Sequence, residues 1–427
     1  VKFRLSLGRL LFLALLVVVA TVLLVNVFSA GGKKIKYTFP HEHGVDHPQF
    51  LRSMGALLGP PLVDGNKTTT LLNGDQIFPS MLQAIRAAKK TITFETYIYW
   101  SGTIGKAFAD ALSERARAGV KVHVLIDWVG SQKMEADLLE EMRKSGVQIE
   151  KYHPLAWYTL DKLNNRTHRK LLVADGAVGF TGGVGISDDW TGHAQDKDHW
   201  RDTHYRVEGP VVAQMQAAFA DNWTKVSGIV LQGEDYFPAL KPVGSHFAQL
   251  FRSSPEGGAE STHLMYLLSI SAASKTIDLS MAYFVPDPLA LEALVAALQR
   301  GVKLRVIMPG PATDVPLVRR ASRATWGRIL QAGAQLYEYQ PTMYHCKVLV
   351  VDGLWTSVGS TNFDTRSFRL NDEANLNIHD SGFALRQLAD FENDRKLSRR
   401  ITYEEWRDRP WQEKAWEHFV ALFGPLL

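Results

Sequence analysis

His168-Arg169-Lys170, followed by Asp175 and then Gly182-Gly183, is answered 177 positions later by His345-Cys346-Lys347, Asp352 and Gly359-Ser360 with the same internal spacing. On an extended strand successive side chains alternate faces. His and Lys two apart therefore project together, while Arg169 or Cys346 between them projects the other way. Each copy offers one imidazole and one ammonium to a common site. A single His-x-Lys reads as a strand-edge histidine beside a solvated lysine, but four typed positions and a small-residue turn do not recur through packing alone. In-line displacement at phosphorus needs a nucleophile on one side, an acid for the leaving oxygen on the other, and cations around the equatorial oxygens. Two copies related by a pseudo-twofold axis would supply all of these.

The flanks repeat in the same order. Lys90 to Tyr97 is answered by Lys275 to Tyr283 with one added residue, each a β-rich run after a helical stretch (78–88 and 263–273). Next come a helix and a strand, 104–118 with 119–126, matched by 289–300 with 301–307; Gly146 to Pro154 then matches Gly333 to Pro341. Glycine just past an Ala- and Leu-rich helix, followed by a β-branched run, is a helix stop feeding a strand. The alternation predicts an α/β protein of two pseudo-twofold-related α/β/α halves, each with a parallel or mixed sheet, and the active site between them. The halves are expected over 67–230 and 245–400, with Pro238, Pro242 and Pro255 marking the junction. From Pro154 to His168 is fourteen positions, against four from Pro341 to His345. The extra segment holds Trp157 and Tyr158, which either line an acyl or headgroup channel or pack within an ordinary surface loop.

The 427 residues are 46% hydrophobic, enough to bury a sizeable core. Leu10 to Phe28 is uncharged over nineteen residues, flanked by Lys2, Arg4 and Arg9 before and Lys33, Lys34 and Lys36 after. It is long enough to span a bilayer, so 1–36 is expected to be a single-pass membrane anchor and 37–66 a linker. A cleaved signal peptide fits less well, because the apolar run is too long and Phe28 would precede a cut after Ala30. The net charge of +4 dissolves on division: residues 1–36 hold six basic and no acidic groups, leaving 42 basic against 44 acidic elsewhere. A soluble portion without basic excess lacks the overall footprint of a non-specific nucleic-acid binder. Cys346 is the only cysteine, which excludes intramolecular disulfides and cysteine-rich metal sites. Alternation turns it away from the site, as a small core residue.

These residues resemble the phospholipase D superfamily, and within it the bacterial cardiolipin synthases. The resemblance runs from about Leu71 to Asp394. Glu95 to Tyr99, Gly119 to Val122, Trp200 to His204 and Gly209 to Val212 are similar to the synthase branch in particular. It implies chemistry without metal or cofactor, through a covalent phosphohistidine. By the same resemblance His168 is the nucleophile and His345 the general acid and base, with Lys170, Lys347 and Asn362 on the phosphoryl oxygens. Asp175 and Asp352 complete the motif set but are expected to hold turns and backbone near the site. A nucleophilic imidazole needs a partner on its other nitrogen. Family members use a downstream carboxylate, which points to Asp202, thirty-four residues after His168, and Glu373, twenty-eight after His345. The first half has no counterpart to Asn362; Ser187, a backbone N–H or water is expected to stand in. His193, His199 and His204 with nearby Asp residues imitate a metal cluster only superficially.

The expected partners are phospholipids, with phosphatidylglycerol as donor and acceptor and phosphatidylethanolamine as a second donor candidate, together with the lipid bilayer of the bacterial inner membrane. The expected reaction is phosphatidyl transfer between two phosphatidylglycerols, giving cardiolipin and glycerol. Water in place of the acceptor would make a hydrolytic phospholipase D. A nuclease-type phosphodiesterase is disfavoured by the charge division, and a non-catalytic lipid-binding protein by the intact His and Lys pairs. In 401–427 an amphipathic helix is expected after Pro410, with Trp411, Ala415, Trp416, Phe419, Val420 and Phe423 on one stripe. Such a stripe more commonly packs on the protein's own core than on a bilayer.

Overall fold

The computed structural model describes residues 7–29, 40–154, 165–255 and 261–423. Its first half contains α1 (Leu7–Ser29), α2 (Pro48–Leu58), β1 (Val63–Leu72), α3 (Asn73–Ala87), β2 (Thr91–Thr96), α4 (Thr103–Arg117), β3 (Lys121–Asp127), α5 (Ala136–Lys144), β4 (Gln148–Tyr152), β5 (Arg166–Thr167), β6 (Leu171–Ala174), β7 (Val178–Gly182), β8 (Thr203–Glu208) and α6 (Val212–Ser227). The chain continues through β9 (His246–Ser253), α7 (Ser261–Ala272), β10 (Thr276–Met281), β11 (Phe284–Val285), α8 (Pro288–Gln299), β12 (Lys303–Pro309), α9 (Pro316–Gln331), β13 (Gln335–Tyr339), β14 (Lys347–Val351), β15 (Trp355–Gly359), β16 (Phe363–Asp364), α10 (Thr365–Arg369), β17 (Asn371–His379), α11 (Ser381–Lys396), β18 (Ser398–Ile401), α12 (Tyr403–Arg407) and α13 (Trp411–Ala421).

Outward from the antiparallel β1–β9 pair, the main sheet runs β8, β7, β6, β2, β3, β4 on one side and β17, β15, β14, β10, β12, β13 on the other, with β18 added at the far edge. The two series correspond strand for strand. In each, the outer three strands are parallel and joined through helices, while the motif strand and its neighbours are antiparallel. Gly119 and Gly301 end the equivalent helices α4 and α8 at φ of 89° and 93°, a left-handed conformation that glycine adopts without the Cβ penalty.

Helices cover both faces, and the motif strands are sandwiched between them. Along β6, Leu172 and Ala174 pack with α3 and α4, while Leu171 and Val173 pack on the α6 side. Along β14, Leu349 and Val351 belong to the second half's core, while Val348 and Val350 join Leu171 and Val173 in a layer crossing the central seam. This alternation continues back through each motif. It places His168 and Lys170 opposite Arg169, and His345 and Lys347 opposite Cys346.

Three expectations change. Segment 37–66 is more than a linker: α2 buries Phe50, Met54 and Leu58 in the second half's core, with Phe50 edge-on to Trp355 at 5.0 Å, and β1 begins at Val63. The apolar spacing of those three side chains, one helical turn apart, is what drives α2 onto that core. Segment 401–427 holds the end of β18 and two helices in place of one. Among the described residues no helix is long and apolar enough to cross a membrane. The side chains of α1 are described only as far as Thr21, whereas its uncharged sequence continues to Phe28. Trp157 and Tyr158 lie outside the described residues.

Candidate active site

Each motif is entered along a strand of the opposite half. Arg166 and Thr167 pair in parallel with Asn371 and Asp372 of β17, and His168 N–H donates to Asp372 O at 2.9 Å. Reciprocally, Arg201 bridges Tyr344 in parallel, and His345 N–H donates to Arg201 O at 2.8 Å. The consequence is a crossed pairing of side chains. His168 Nδ1 lies 3.0 Å from both carboxylate oxygens of Glu373, and His345 Nδ1 lies 2.7 Å from Asp202 Oδ2. The spacing within each half had pointed to Asp202 for His168 and Glu373 for His345; the structure exchanges them. Asp202 and Glu373 do hold equivalent places, since Gly182 pairs with His204 and Gly359 with Asn375.

Both carboxylates are fully buried yet ionised. Burial pushes Glu373 up, but His168, Lys170 and the Ser360 hydroxyl outweigh it and hold the carboxyl below its ordinary range. Burial likewise opposes ionisation of Asp202, and His345 and Lys347 outweigh it. An ionised carboxylate only accepts, so each Nδ1 carries the hydrogen and each Nε2 presents its lone pair. Burial lowers His168 to about 4, with Glu373 opposing and Lys170 assisting, so the imidazole is neutral at physiological pH. His345 is lowered by burial and by Lys347, whose Nζ lies 3.0 Å and 3.1 Å from the two ring nitrogens. Lys170 is lowered to about 7, first by burial and, against the pull of Glu373, by Lys347. Each ammonium is tied to its motif's own backbone, Lys170 to His168 O at 2.9 Å and Lys347 to His345 O at 2.7 Å.

His168, Lys170, His345 and Asn362 line one cavity of about 360 Å³. Among the described residues the Oδ1 of Asn362 is buried without a hydrogen-bond partner. The corresponding place in the first half is Gly185. A Cβ there would stand 2.8 Å from Ile98 Cβ and 3.3 Å from the Trp190 ring, so apolar groups occupy the room that an amide would need. Ser187 does not substitute for it: the residue caps its own turn, with Oγ against Asp189 at 3.2 Å, and does not line the cavity. Trp190 instead donates Nε1–H to Asp202 Oδ2 at 2.9 Å and stands edge-on to His345, with Trp200 tilted against the same imidazole.

The motif acids hold turns, at the strand ends away from the histidines. Asp175 accepts from Lys89, Lys90 and Thr91 N–H, and Asp352 from Ser274, Lys275 and Thr276 N–H. Both sit at positive φ, 52° and 53°, and neither lines the cavity, so their expected place near the site is corrected. Cys346 is buried among Tyr344, Ile307 and Phe391, and burial pushes its thiol up to about 12. Arg169 is buried on the α6 side against Ala218 O and Ser253 O. His193 pairs with Asp75 and His199 with Asp196, while His204 is buried separately in β8.

Sequence reasoning did not assign Tyr97, Trp190, Trp200, Arg166, Arg366 or Asp364 to the site, yet all line the cavity. Tyr97 and Trp200 fall inside stretches already singled out, beside Glu95 and Asp202. The two arginines have no such signal, because β5 and α10 are too short to show a pattern.

The family model described as "Cardiolipin synthase, PLD-like domain" matches residues 81–223 and 266–395. Cardiolipin synthase 1 of Bacillus anthracis is 34% identical over 379 residues, covering 86% of this chain and 74% of that protein. The major cardiolipin synthase ClsA of Bacillus subtilis is 34% identical over 367 residues, covering 85% and 76%. Among solved structures, phosphatidylserine synthase of Haemophilus influenzae matches in fold with a TM-score of 0.69 at 15% identity, covering 89% of this chain and all of that one.

Proposed function

Since the chain belongs to the cardiolipin synthase family of PLD-like proteins and is an enzyme of the phosphatidyltransferase class, we propose that it transfers a phosphatidyl group from one phosphatidylglycerol to a hydroxyl of another, releasing glycerol. The observation that carries this reading is the crossed pair of carboxylate-held imidazoles on one cavity, with Lys170 lining it and Lys347 against His345.

His168 Nε2 attacks the donor phosphorus as the bond to the glycerol oxygen breaks, and His345 Nε2–H gives that oxygen its proton. The acceptor hydroxyl then loses its proton to His345 Nε2 and attacks phosphorus. The P–N bond breaks, restoring both imidazoles. Lys170, Lys347 and the Asn362 amide stabilise the equatorial oxygens. Burial first, and Lys347 after it, keep His345 unprotonated; arrival of the phosphodiester anion offsets the Lys347 charge, which favours the acid form at the step that needs it. Arg166 and Arg366 on the same cavity are placed to take the phosphate of the acceptor lipid. Residues 67–230 and 245–400 act as the two catalytic halves.

We assign α1 as a single-pass anchor in the bacterial cell membrane. What supports this is the sequence, nineteen uncharged residues from Leu10 to Phe28 between basic flanks, within the roughly 17–25 that a spanning helix needs. The test is product analysis with pure phosphatidylglycerol and no added metal. Cardiolipin and free glycerol are expected; phosphatidic acid alone would make the enzyme a hydrolase, and cleavage of DNA without lipid turnover would replace the reading.

A further inference from the structure

Helix α13 is docked with its charged side inward. Arg323 of α9 reaches Glu413 at 3.1 Å and Glu417 at 3.0 Å, and Arg409 reaches Glu417 at 2.8 Å. Glu417 is only 1% exposed, whereas Trp411 is 73% and Phe419 50% exposed, and Trp416, Leu422 and Phe423 are exposed beside them. By helical periodicity these five apolar side chains lie on the side turned away from Glu417. Trp416 stacks on Phe419 at 5.4 Å, and Phe419 meets Phe423 edge-on at 5.5 Å, so these three rings form a continuous aromatic ridge. Within this chain nothing described covers it.

Its position identifies what does. Val420, the one apolar side chain of α13 that is buried, packs with Val318, Val315 and Tyr283, and those three line the catalytic cavity. Helix α13 therefore packs behind the site's own wall, with its aromatic face turned outward. A cavity of about 360 Å³ holds a group the size of a small ligand; a phosphodiester headgroup fits, and the two acyl chains of a diacyl lipid stay outside. Those chains remain in the bilayer during reaction, which requires the cavity mouth to sit at the headgroup level. Exposed tryptophan, phenylalanine and leucine on a helix behind that wall suit the interfacial layer, where tryptophan buries its ring and keeps its N–H wet while phenylalanine and leucine enter the acyl boundary.

We propose that α13 is an interfacial docking helix, inserting Trp411, Trp416, Phe419, Leu422 and Phe423 into the phospholipid surface so that the cavity opens onto lipid headgroups. The proposal rests on the lipid substrate assigned above. It is separate from α1, which would tether the chain without orienting it.

Because Cys346 is the only native cysteine and is buried, an environment-sensitive probe on a Trp416→Cys full-length protein reports this face alone. With vesicles of phosphatidylglycerol and phosphatidylcholine carrying nitroxide-labelled acyl chains, the probe is expected to shift to the blue and be quenched. A probe at exposed Glu140 on α5 is expected to do neither. An unquenched probe at 416 overturns the proposal, as does concentration-dependent self-association that shields the probe without lipid. In a second arm, the Trp416→Ser/Phe419→Ser double variant should lose about tenfold in turnover on phosphatidylglycerol vesicles. It should keep wild-type turnover on short-chain phosphatidylglycerol dispersed below its micelle concentration. Equal loss on both substrates, or none on vesicles, overturns the proposal. Wild-type protein that turns over neither lipid defeats the substrate assignment instead, and the quenching arm still decides where α13 sits.

Discussion

Glu373 Oε1 and Oε2 both lie 3.0 Å from His168 Nδ1, although the two residues are 205 positions apart and belong to opposite halves. The mirror contact joins Asp202 to His345. Each carboxylate fixes a tautomer, and with it the nitrogen whose lone pair is left free. Glu373→Gln and Asp202→Asn should each keep the fold but lower kcat on the order of a thousandfold, as expected when an imidazole loses its orienting acceptor. Unaltered kcat in either variant would defeat the crossed assignment.

The two histidines are expected to fail differently. His168→Ala should abolish turnover with no lipid-linked enzyme formed. His345→Ala should still acquire a phosphatidyl group from a donor with an activated leaving group, which needs no acid, and release it slowly. Intact-protein mass spectrometry after mixing distinguishes the variants; labelling of His168→Ala in place of His345→Ala would reverse the roles.

Gly183 makes room for Asp202: a Cβ there would stand 2.2 Å and 2.6 Å from its carboxylate oxygens. Gly183→Ala should therefore displace Asp202 from His345 and cut kcat by more than about tenfold. The equivalent residue in the second half is Ser360, whose hydroxyl donates to Glu373. Ser360→Ala, which removes the hydroxyl's bonds to Glu373 and to the Ala374 backbone and adds no clash, should cost less than Gly183→Ala in a side-by-side assay.

Acid should destabilise the protein well above the carboxylate range. His168 and His123 are lowered by burial from 6.5 to about 4, and His204 to about 3. A histidine held neutral when folded takes up its proton first in the unfolded chain. Stability is thus full above pH 6.5 and falls as pH drops toward 4, by about 3 kcal/mol for His168 alone. Urea denaturation at pH 7 and pH 5 measures the loss, and His168→Asn should show a shallower dependence than wild type.

Thiol reagents should leave activity untouched. Cys346 is buried with its thiol pushed up to about 12, so little thiolate forms at neutral pH. Maleimide labelling is expected only after denaturation, and inactivation of the native enzyme at a rate matching Cys346 modification would contradict its place in the core.

What the sequence disclosed and what it concealed follow from the range of the interactions. The two His-x-Lys pairs were legible because a strand's alternation is local, and His168, Lys170 and Arg169 take the faces it dictates. The helix stops at Gly119 and Gly301 were legible for the same reason. The exchange of Asp202 and Glu373 was hidden, since spacing within a half carries no record of which half's strand runs alongside. So was the apolar wall at Gly185: an absent amide is visible in a sequence, but Trp190 filling its place depends on a turn five residues later. The orientation of α13 ran against the usual rule of apolar side inward, because Arg323 and Arg409, distant from each other in sequence, converge on Glu417.

The stretch from Gly228 to Ser245 has neither helix nor strand, and it is the covalent link between the β1 and β9 sides of the sheet. Severed there, each fragment would keep a histidine and a lysine but leave behind the carboxylate that holds that histidine. Neither fragment alone would hold a complete His–carboxylate pair; the site forms only when the two bodies dock in register. The arrangement is that of a symmetric dimer made permanent by one peptide tether. That permanence is what allows its two halves to differ, one presenting Asn362 to the cavity and the other setting Trp190 against its partner's imidazole.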